Sequence, residues 1–512
     1  MLSLSLLSLP DNPAQLGYTL LLLLVFSGLW ISCKRLYFHP LRKIPGPLFA
    51  RLTGWWEFYF DVVDNGTLVK RLPGLHEKYQ TAVIRISPNH VHVNDPEFYH
   101  VVYRSGTDYG KSPHFYKALI YPEALIAIMD AKRHRIYRNT IAPLFSPAAI
   151  ELCTPRIFHV IQQAATKLKQ RLDSGEPMDI QRMFKCFSVD IIYVTIFGQP
   201  DEFVKDYELD HPLMTSMDQI THGMWLAKHF PIINEIAPRL PASLSSSKLS
   251  GYAQFRQQCM SWVKGVQERR KQGKYTTPDG ITTIFDAMLT PSEERGYKAR
   301  TPKELIDEAA LFILAGSDTS GYSLTTATYY LLTHPGILST LRKELDSVQS
   351  DIRECRWEEI RKLPYLHAVV KETLRLSTPV PGMTPRIVPE PGVTVQGHFL
   401  PAGTIVSITH RTIHDNPDLF DSPEKFKPER WLGEKGKALD RWMVAFSKGS
   451  RQCVGSPYRL AYQELSLTIA HLFSRFDMEL FDTNEESMEW VDNVVAINKK
   501  PVEVKVLRDR WA

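Results

Sequence analysis

Residues 16–33, LGYTLLLLLVFSGLWISC, run for 18 residues without a charged side chain, just long enough to cross a bilayer core of ~30 Å at about 1.5 Å per residue. The run exceeds a typical signal-peptide core, is not preceded by a basic stretch and shows no A-x-A-like cleavage site, so it predicts a retained anchor. Residues 1–15 hold no Lys or Arg, whereas Lys34, Arg35, Arg42 and Lys43 follow the span. The positive-inside rule therefore predicts a lumenal segment at 1–15, a transmembrane helix at 16–33 and a cytoplasmic remainder. HPLRKIPGP (39–47) carries three prolines, which stiffen the exit from the membrane. A basic, proline-rich hinge is expected over 34–48 and one large domain over 49–512.

That domain can bury a sizeable core, since apolar residues are 44% and charged residues 23% of the chain. Its six cysteines (33, 153, 186, 259, 355, 453) form no C-x-x-C and no regular spacing, which argues against a disulfide framework or a zinc site and for a reducing compartment. A net charge of +5, with no basic run interleaved with aromatics, does not point to nucleic acid.

Apolar residues recur at helical spacing over 129–145, 156–172, 187–197, 252–271, 301–333, 336–349, 364–376 and 457–474. Strand-like stretches are short: AVIRI (82–86), HVHV (90–93), and GVTVQGHFLPAGTIVSI (392–408), read as two β-rich runs separated by a turn at Pro401–Gly403. SLSSSKLSG (243–251) and KQGKYTTPDG (271–280) read as surface loops. The expected fold is mainly α with small β-sheets.

Chemistry concentrates at FSKGSRQCVG (446–455). Gly449 and Gly455 give backbone freedom on either side of Cys453, and Pro457 suits the first turn of a following helix, so the cysteine is expected just before a helix N-terminus that favours a thiolate. Such a thiolate is a metal ligand or a nucleophile, and no His lies between His414 and His471 in sequence to act as a nearby base. A lone thiolate also fits axial ligation of haem iron, whose other four equatorial donors come from the porphyrin. The segment 301–335 opens with a capping box, Thr301 to Glu304 with Pro302 at the first helical position, and stops at Pro335. Its apolar interior is interrupted by AGSDTS (315–320), where Gly316 is expected to admit close approach of a ligand. KETLRL (371–376) sets Glu372 and Arg375 at i, i+3 on one helix face, which by itself reads as a surface ion pair.

FSKGSRQCVG resembles the haem-binding loop of the cytochrome P450 superfamily, F-x-x-G-x-R-x-C-x-G, with Phe446, Gly449, Arg451, Cys453 and Gly455 on matching positions. The resemblance implies the cytochrome P450 fold with an N-terminal transmembrane helix and a haem b cofactor. Cys453 becomes the iron ligand, Arg451 a propionate partner, and Phe446 a neighbour of the sulfur. AGSDTS is similar to the family's oxygen-activation helix, which makes Thr319 the residue that hydrogen-bonds dioxygen and Asp318 a proton relay. Glu372 and Arg375 match the E-x-x-R motif, and FKPERW (426–431) supplies Arg430 to complete its structural triad. RHRIYRNTIAPLFS (133–146) resembles the family's W-x-x-x-R helix with His134 in place of Trp and Arg138 as the arginine, and TPRIVPE (384–390) puts Arg386 on another propionate position.

The match runs from residue 39 to the end, and YFHPLRKIPGP, FYKALIYPEALIAIMD and HRIYRNTIAPLFS resemble fungal microsomal members that tailor secondary metabolites, including those that oxygenate sesquiterpenes such as trichodiene. SPY (456–458) departs from the apolar residue and Asn common there. The implied activity is an NADPH- and O2-dependent monooxygenase that inserts one oxygen atom into an apolar terpenoid or polyketide intermediate. A haem-thiolate isomerase or dehydratase of the same fold, or a non-catalytic haem-binding protein, is the alternative, and the intact AGSDTS speaks against both. Implied partners are NADPH–cytochrome P450 reductase and, optionally, cytochrome b5, with the protein in the endoplasmic reticulum membrane. Lys425, Lys427, Lys435, Lys437, Lys448 and Arg459 are expected to form a basic face toward the reductase. Pocket walls are expected near Phe115–Ile128, Leu311–Ala315, 380–384 and 494–497.

Overall fold

A computed structural model describes residues 13–512 except 118, 120, 199–202, 206–210, 234–246, 278–279, 349–355 and 456–459. The apolar run lies in α1 (Pro13–Cys33), which continues into a π-turn at Lys34–Phe38; Leu16–Phe38 is long and apolar enough to cross a membrane, and none of that window is buried in the protein. Pro40 then opens a short 3-10 turn at Pro40–Lys43, where the His39 side chain accepts the Leu41 amide.

The body is built on helices. In chain order they include α2 (Leu68–Tyr79), α3 (Ala131–Ile141), α4 (Pro147–Ser174), α5 (Ile180–Phe197), α6 (Pro212–His229), α7 (Ser247–Lys271), α8 (Pro302–Thr333), α9 (Pro335–Asp346), α10 (Pro364–Ser377) and α11 (Leu460–Arg475). The expected helical segments are all present with shifted ends, whereas α2 and α6 escaped the periodicity reading. The loop expected at 243–251 is overturned in part: its last residues, from Ser247, already belong to α7, and 243–246 lie outside the described residues. Start signals act as expected, since Thr301 accepts the Glu304 amide while the Glu304 carboxylate accepts from Thr301 N at 2.8 Å.

The 32 residues of α8 span about 48 Å through the main core. Its buried hydroxyls are satisfied along the helix itself: Ser317, Ser323, Thr325, Thr326 and Thr328 each donate to the carbonyl four residues back. Helix α5 packs closely along it. A Cβ on Gly316 would stand 2.7 Å from Ile192 Cγ1, and one on Gly321 would stand 3.2 Å from Phe184 O. Gly316 thus admits a neighbouring helix, and the ligand approach expected there is not what its missing side chain provides.

The main sheet runs β1-β2-β8-β5-β3, from Val83–Ser87, His90–Val93, Ile405–Ser407, Arg386–Ile387 and Gly110–Lys111. β2 and β8 pair in parallel and the other neighbours pair antiparallel. A second sheet has the order β4-β12-β9 (Met178–Asp179, Glu503–Asp509, Phe476–Phe481), and two hairpins are β6-β7 (Val393–Val395, His398–Leu400) and β10-β11 (Trp490–Asn493, Val495–Asn498). The two runs expected in 392–408 are therefore three strands, because the turn at Gln396–Gly397, both at positive φ, splits the first run into a hairpin.

Candidate active site

Cys453 sits in a loop fixed by its main chain. Its amide donates to Phe446 O at 3.0 Å, and Gly449, at φ +74°, lies so near Tyr103 O that a Cβ there would come within 2.2 Å. Arg138, from α3, donates to Gln452 O at 2.6 Å and reaches Cys453 O at 3.5 Å. Arg451 donates to Ile128 O at 2.8 Å and Met129 O at 3.0 Å. Cys453 is exposed, whereas Cys153, Cys186 and Cys259 are buried. The Phe446 ring faces Tyr462 with centroids 6.5 Å apart, and a Cβ on Gly455 would lie 3.7 Å from the Cys453 sulfur. Pro457 and the SPY departure lie outside the described residues, and the described part of α11 begins at Leu460.

Ser447 and Arg451 of this loop line a cavity of about 210 Å³. All four expected wall segments contribute, through Phe115, Leu311, Gly382 and Val494 among others. Thr221, Met224 and Trp225 of α6 add a wall that sequence reasoning missed, because that helix was not read. Ala315 and Thr319 of α8 also face the cavity, and Ala315 is exposed although it lies midway along a core helix. Thr319 Oγ1 donates to Ala315 O at 2.7 Å, which leaves its lone pairs as acceptors. Asp318 is held by Lys185 of α5 at 2.8 Å; Lys185 also binds Asp218 at 2.6 Å, whose side chain is 43% exposed.

Lys111, Arg386 and Arg451 meet at this cavity. β3 and β5 place Lys111 directly opposite Arg386, both buried, a like-charge pairing that destabilises a sheet on its own. No ion pair relieves Lys111, Arg386 or Arg451 among the described residues. Lys111 donates to Ile126 O, and Arg386 to Tyr116 Oη at 2.6 Å and to Thr384 O at 3.1 Å. Burial, followed by Arg451, Arg386 and Arg138, pulls the Lys111 ammonium well below its ordinary range. Burial, with Arg386 next, brings Arg451 down to about 10. His134 is buried, and burial followed by Arg451, Lys111 and Arg138 pushes its imidazole down to about 2, so it is neutral.

The sequence profile of the family Cytochrome P450 matches residues 52–506. The chain belongs to the cytochrome P450 family. It is 37% identical over 480 residues to cytochrome P450 monooxygenase aneF of Aspergillus aculeatus, covering 93% of this chain and 97% of that one. It is 40% identical to phqM of Penicillium fellutanum (92% and 88% covered) and 38% identical to BOT1 of Botryotinia fuckeliana (97% and 97%), both also cytochrome P450 monooxygenases. In fold it is similar to the retinoic acid-bound cyanobacterial CYP120A1, with a TM-score of 0.72 at 21% identity, covering 90% of this chain and 98% of that one. The P450 is thus a haem-iron oxidoreductase of a family that ligates the metal through a cysteine thiolate.

The cavity's donor set fits that cofactor. Haem brings two carboxylates into an otherwise apolar envelope, and the cations at Lys111, Arg386 and Arg451 lack the anion that such carboxylates supply.

Away from the cavity, the P450 buries its E-x-x-R helix. Arg375 and Glu372 are both 0% exposed, joined by two hydrogen bonds of 2.8 and 2.9 Å, and Arg430 Nε reaches Glu372 at 3.0 Å. The surface-pair reading of Glu372 and Arg375 is therefore overturned, since the two side chains meet Arg430 in the interior. In the basic segment, Lys427 and Lys437 are paired with Asp421 and Glu434. Lys448 is half-buried and donates to Asp440 O at 3.3 Å, so it is not the open cation expected, whereas Lys435 is exposed; Arg459 lies outside the described residues.

Glu464 was not singled out from sequence, where it is one polar residue in an amphipathic run. It is buried in α11, accepting from Ser188 of α5 at 2.8 Å and Ser320 of α8 at 2.9 Å. Burial pushes it up to about 8. Its folded state thus holds a proton that the unfolded chain gives up near pH 4.5, so wild-type stability falls as pH rises from about 4.5 through about 8. Glu464→Gln keeps the hydrogen-bonding shape without the titration. Thermal scans should show the variant gaining on the wild type across this range, by up to ~1.4 kcal/mol per pH unit. A stability difference independent of pH would refute the protonated state.

Proposed function

We propose that this P450 is a haem-thiolate monooxygenase that inserts one atom of O2 into an apolar small molecule, a terpenoid or polyketide intermediate of fungal secondary metabolism. The observation that carries the reading is the shared cavity: the loop of Cys453 supplies one side, and Thr319 with Ala315 supplies another. Cys453 would ligate the haem iron, and Lys111, Arg386 and Arg451 would hold the propionates, with neutral His134 as a further donor and Arg138 bracing the cysteine loop. When bound, the haem supplies the redox chemistry that activates dioxygen. The protein excludes water with the apolar walls and holds the substrate against α8. Thr319 presents a hydroxyl at the reacting end, and Asp218, Lys185 and Asp318 connect it to surface protons.

The test uses purified full-length protein with NADPH and a flavoprotein reductase. Thr319→Ala removes one hydroxyl, about 1 kcal/mol in the resting protein, so substrate affinity should stay within about twofold. NADPH should still be consumed, with most of it now emerging as hydrogen peroxide instead of oxygenated product. Unchanged product yield per NADPH would reject the role of Thr319, and product formed without oxygen would turn the reading toward an isomerase.

We also infer a single-pass orientation in the endoplasmic reticulum membrane, anchored by α1, with residues 49–512 in the cytoplasm. In sealed microsomes the protein should resist alkaline carbonate extraction, and added protease should digest the body. A protected body would reverse the orientation.

A further inference from the structure

Three cavities abut in the body. The active-site cavity shares Phe115, Trp225 and Met383 with a small one, which in turn shares Glu57, His90 and His114 with an open one beside Arg35 and Trp55, near the apolar N-terminal helix. The middle cavity is lined by Glu57, Asp61, His90, His114, Lys228 and Asp492 beside its apolar residues. Most of that charge is paired: Lys228 Nζ lies 2.6 Å from Glu57 Oε1 and 2.7 Å from Asp61 Oδ2, and His229 Nε2 lies 2.8 Å from Asp61 Oδ2.

Asp492 is different. It lines the middle cavity and is 2% exposed. Oδ1 accepts the Val494 amide at 2.9 Å, but Oδ2 takes part in no hydrogen bond or ion pair among the described residues. Its main chain is tied down, with Asp492 O accepting from Trp225 Nε1 and Asp492 N donating to Gly66 O at 3.2 Å. Oδ2 stands 2.5 Å from the position a Cβ on Gly382 would take, and Gly382 lines the active-site cavity. The carboxyl therefore fills a side chain's place at the wall between the two cavities. Ionising a rigidly mounted carboxyl whose second oxygen has no protein partner among the described residues is costly, and a ligand cation lowers that cost.

We propose that Asp492 is a specificity-determining residue that pairs, through Oδ2, with a protonated amine nitrogen on an otherwise apolar substrate. The assignment rests on the monooxygenase reading for the word substrate, and it narrows that reading to skeletons carrying a basic nitrogen. Burial, with the charge of Asp61 next, raises Asp492 to about 8, so pairing with an ammonium near neutral pH releases one proton from the carboxyl to solvent. The groups around it are Glu57 and Asp61 from residues 55–63, Lys228 and His229 of α6, His90 of β2, and His114. Glu57, held down to about 2, His90, held down to about 4, His114, lowered by burial, and Lys228, raised by its two acids, keep their charge between pH 7 and 9. Amine affinity thus rises over that window until the amine itself loses its proton.

The probes are N,N-dimethyl-2-(naphthalen-1-yl)ethylamine and its carbon isostere 1-(3-methylbutyl)naphthalene, titrated by calorimetry into haem-loaded full-length protein. Near pH 8 the wild type should bind the amine at least about tenfold tighter than the hydrocarbon, with proton release visible as a dependence of the heat on buffer. Asp492→Asn should erase both the preference and the proton release while holding hydrocarbon affinity within about twofold. Gly382→Ala, which crowds Oδ2 without removing it, should lower amine affinity alone. Equal affinities in the wild type, or a preference that survives Asp492→Asn, overturn the proposal; the latter includes an amine that binds the iron, read as a red-shifted Soret band. No turnover is measured, so failure of the oxygenation reading leaves this result standing on its own.

Discussion

Cys453→Ser should abolish the red-shifted absorption of the ferrous–carbon monoxide complex and all turnover, while the protein stays folded. The two halves of this expectation have separate causes. The loop is held by main-chain groups, Cys453 N on Phe446 O and the Arg138 guanidinium on Gln452 O, none of which uses the sulfur. Serine therefore inherits the geometry. It does not inherit a soft, electron-donating thiolate, the property that distinguishes this ligation in its spectrum. The reduced-minus-oxidised spectrum under carbon monoxide, recorded beside a thermal scan, reads both halves. Among the other described cysteines, 153, 186 and 259 are buried away in the core and 33 lies at the end of the apolar helix. A red-shifted band that persisted in Cys453→Ser would therefore place the ligand somewhere the structure gives no reason to expect.

What could be read from sequence follows what local chemistry specifies. The capping box at Thr301 and the stop at Pro335 set both ends of α8, because those signals act within one turn. The motif residues Cys453, Thr319, Glu372 and Arg386 could be named for the same reason: each sits in a short, chemically unusual string. Partners contributed by distant segments could not. Lys111 faces Arg386 through a two-residue strand pairing 275 positions apart, and nothing in either string announces the other. Gly316 shows the limit in reverse. Its motif suggested access for a ligand, yet the space its missing side chain leaves is taken by Ile192 of a helix 124 residues earlier. Helix α6 was missed because its polar and apolar residues mix around the whole surface, Lys228 being buried with two acids, so periodicity had little to detect. Asp492 belongs to the same class, an ordinary residue in a strand until β10 is placed beside Gly382.

Glu372→Gln should cost far more stability than any exposed charge change. The Glu372 carboxylate accepts from Arg375 twice, from Arg430, from the Lys427 amide at 3.0 Å and from Trp431 Nε1 at 2.8 Å. Arg375 in turn donates to the carbonyls of His414, Pro423 and Lys425, so one buried ion pair ties α10 to the segment that leads into the cysteine loop. An amide has one oxygen to offer where two carboxylate oxygens now serve, and its N–H groups would face guanidinium donors. Breaking a buried pair from one side leaves the other charge uncompensated, roughly 3–5 kcal/mol, a large share of a total of about 5–15 kcal/mol. The melting temperature should therefore fall by roughly 3–5 °C, with haem lost at the same transition. The control is Glu434→Gln, whose partner Lys437 sits on the surface, the two side chains being 87% and 73% exposed; such a pair contributes ~0–1 kcal/mol and its loss should barely move the curve. If Glu372→Gln melted with the control, the triad would be a bystander of the fold, and the link from α10 to the cysteine loop would have to be sought elsewhere.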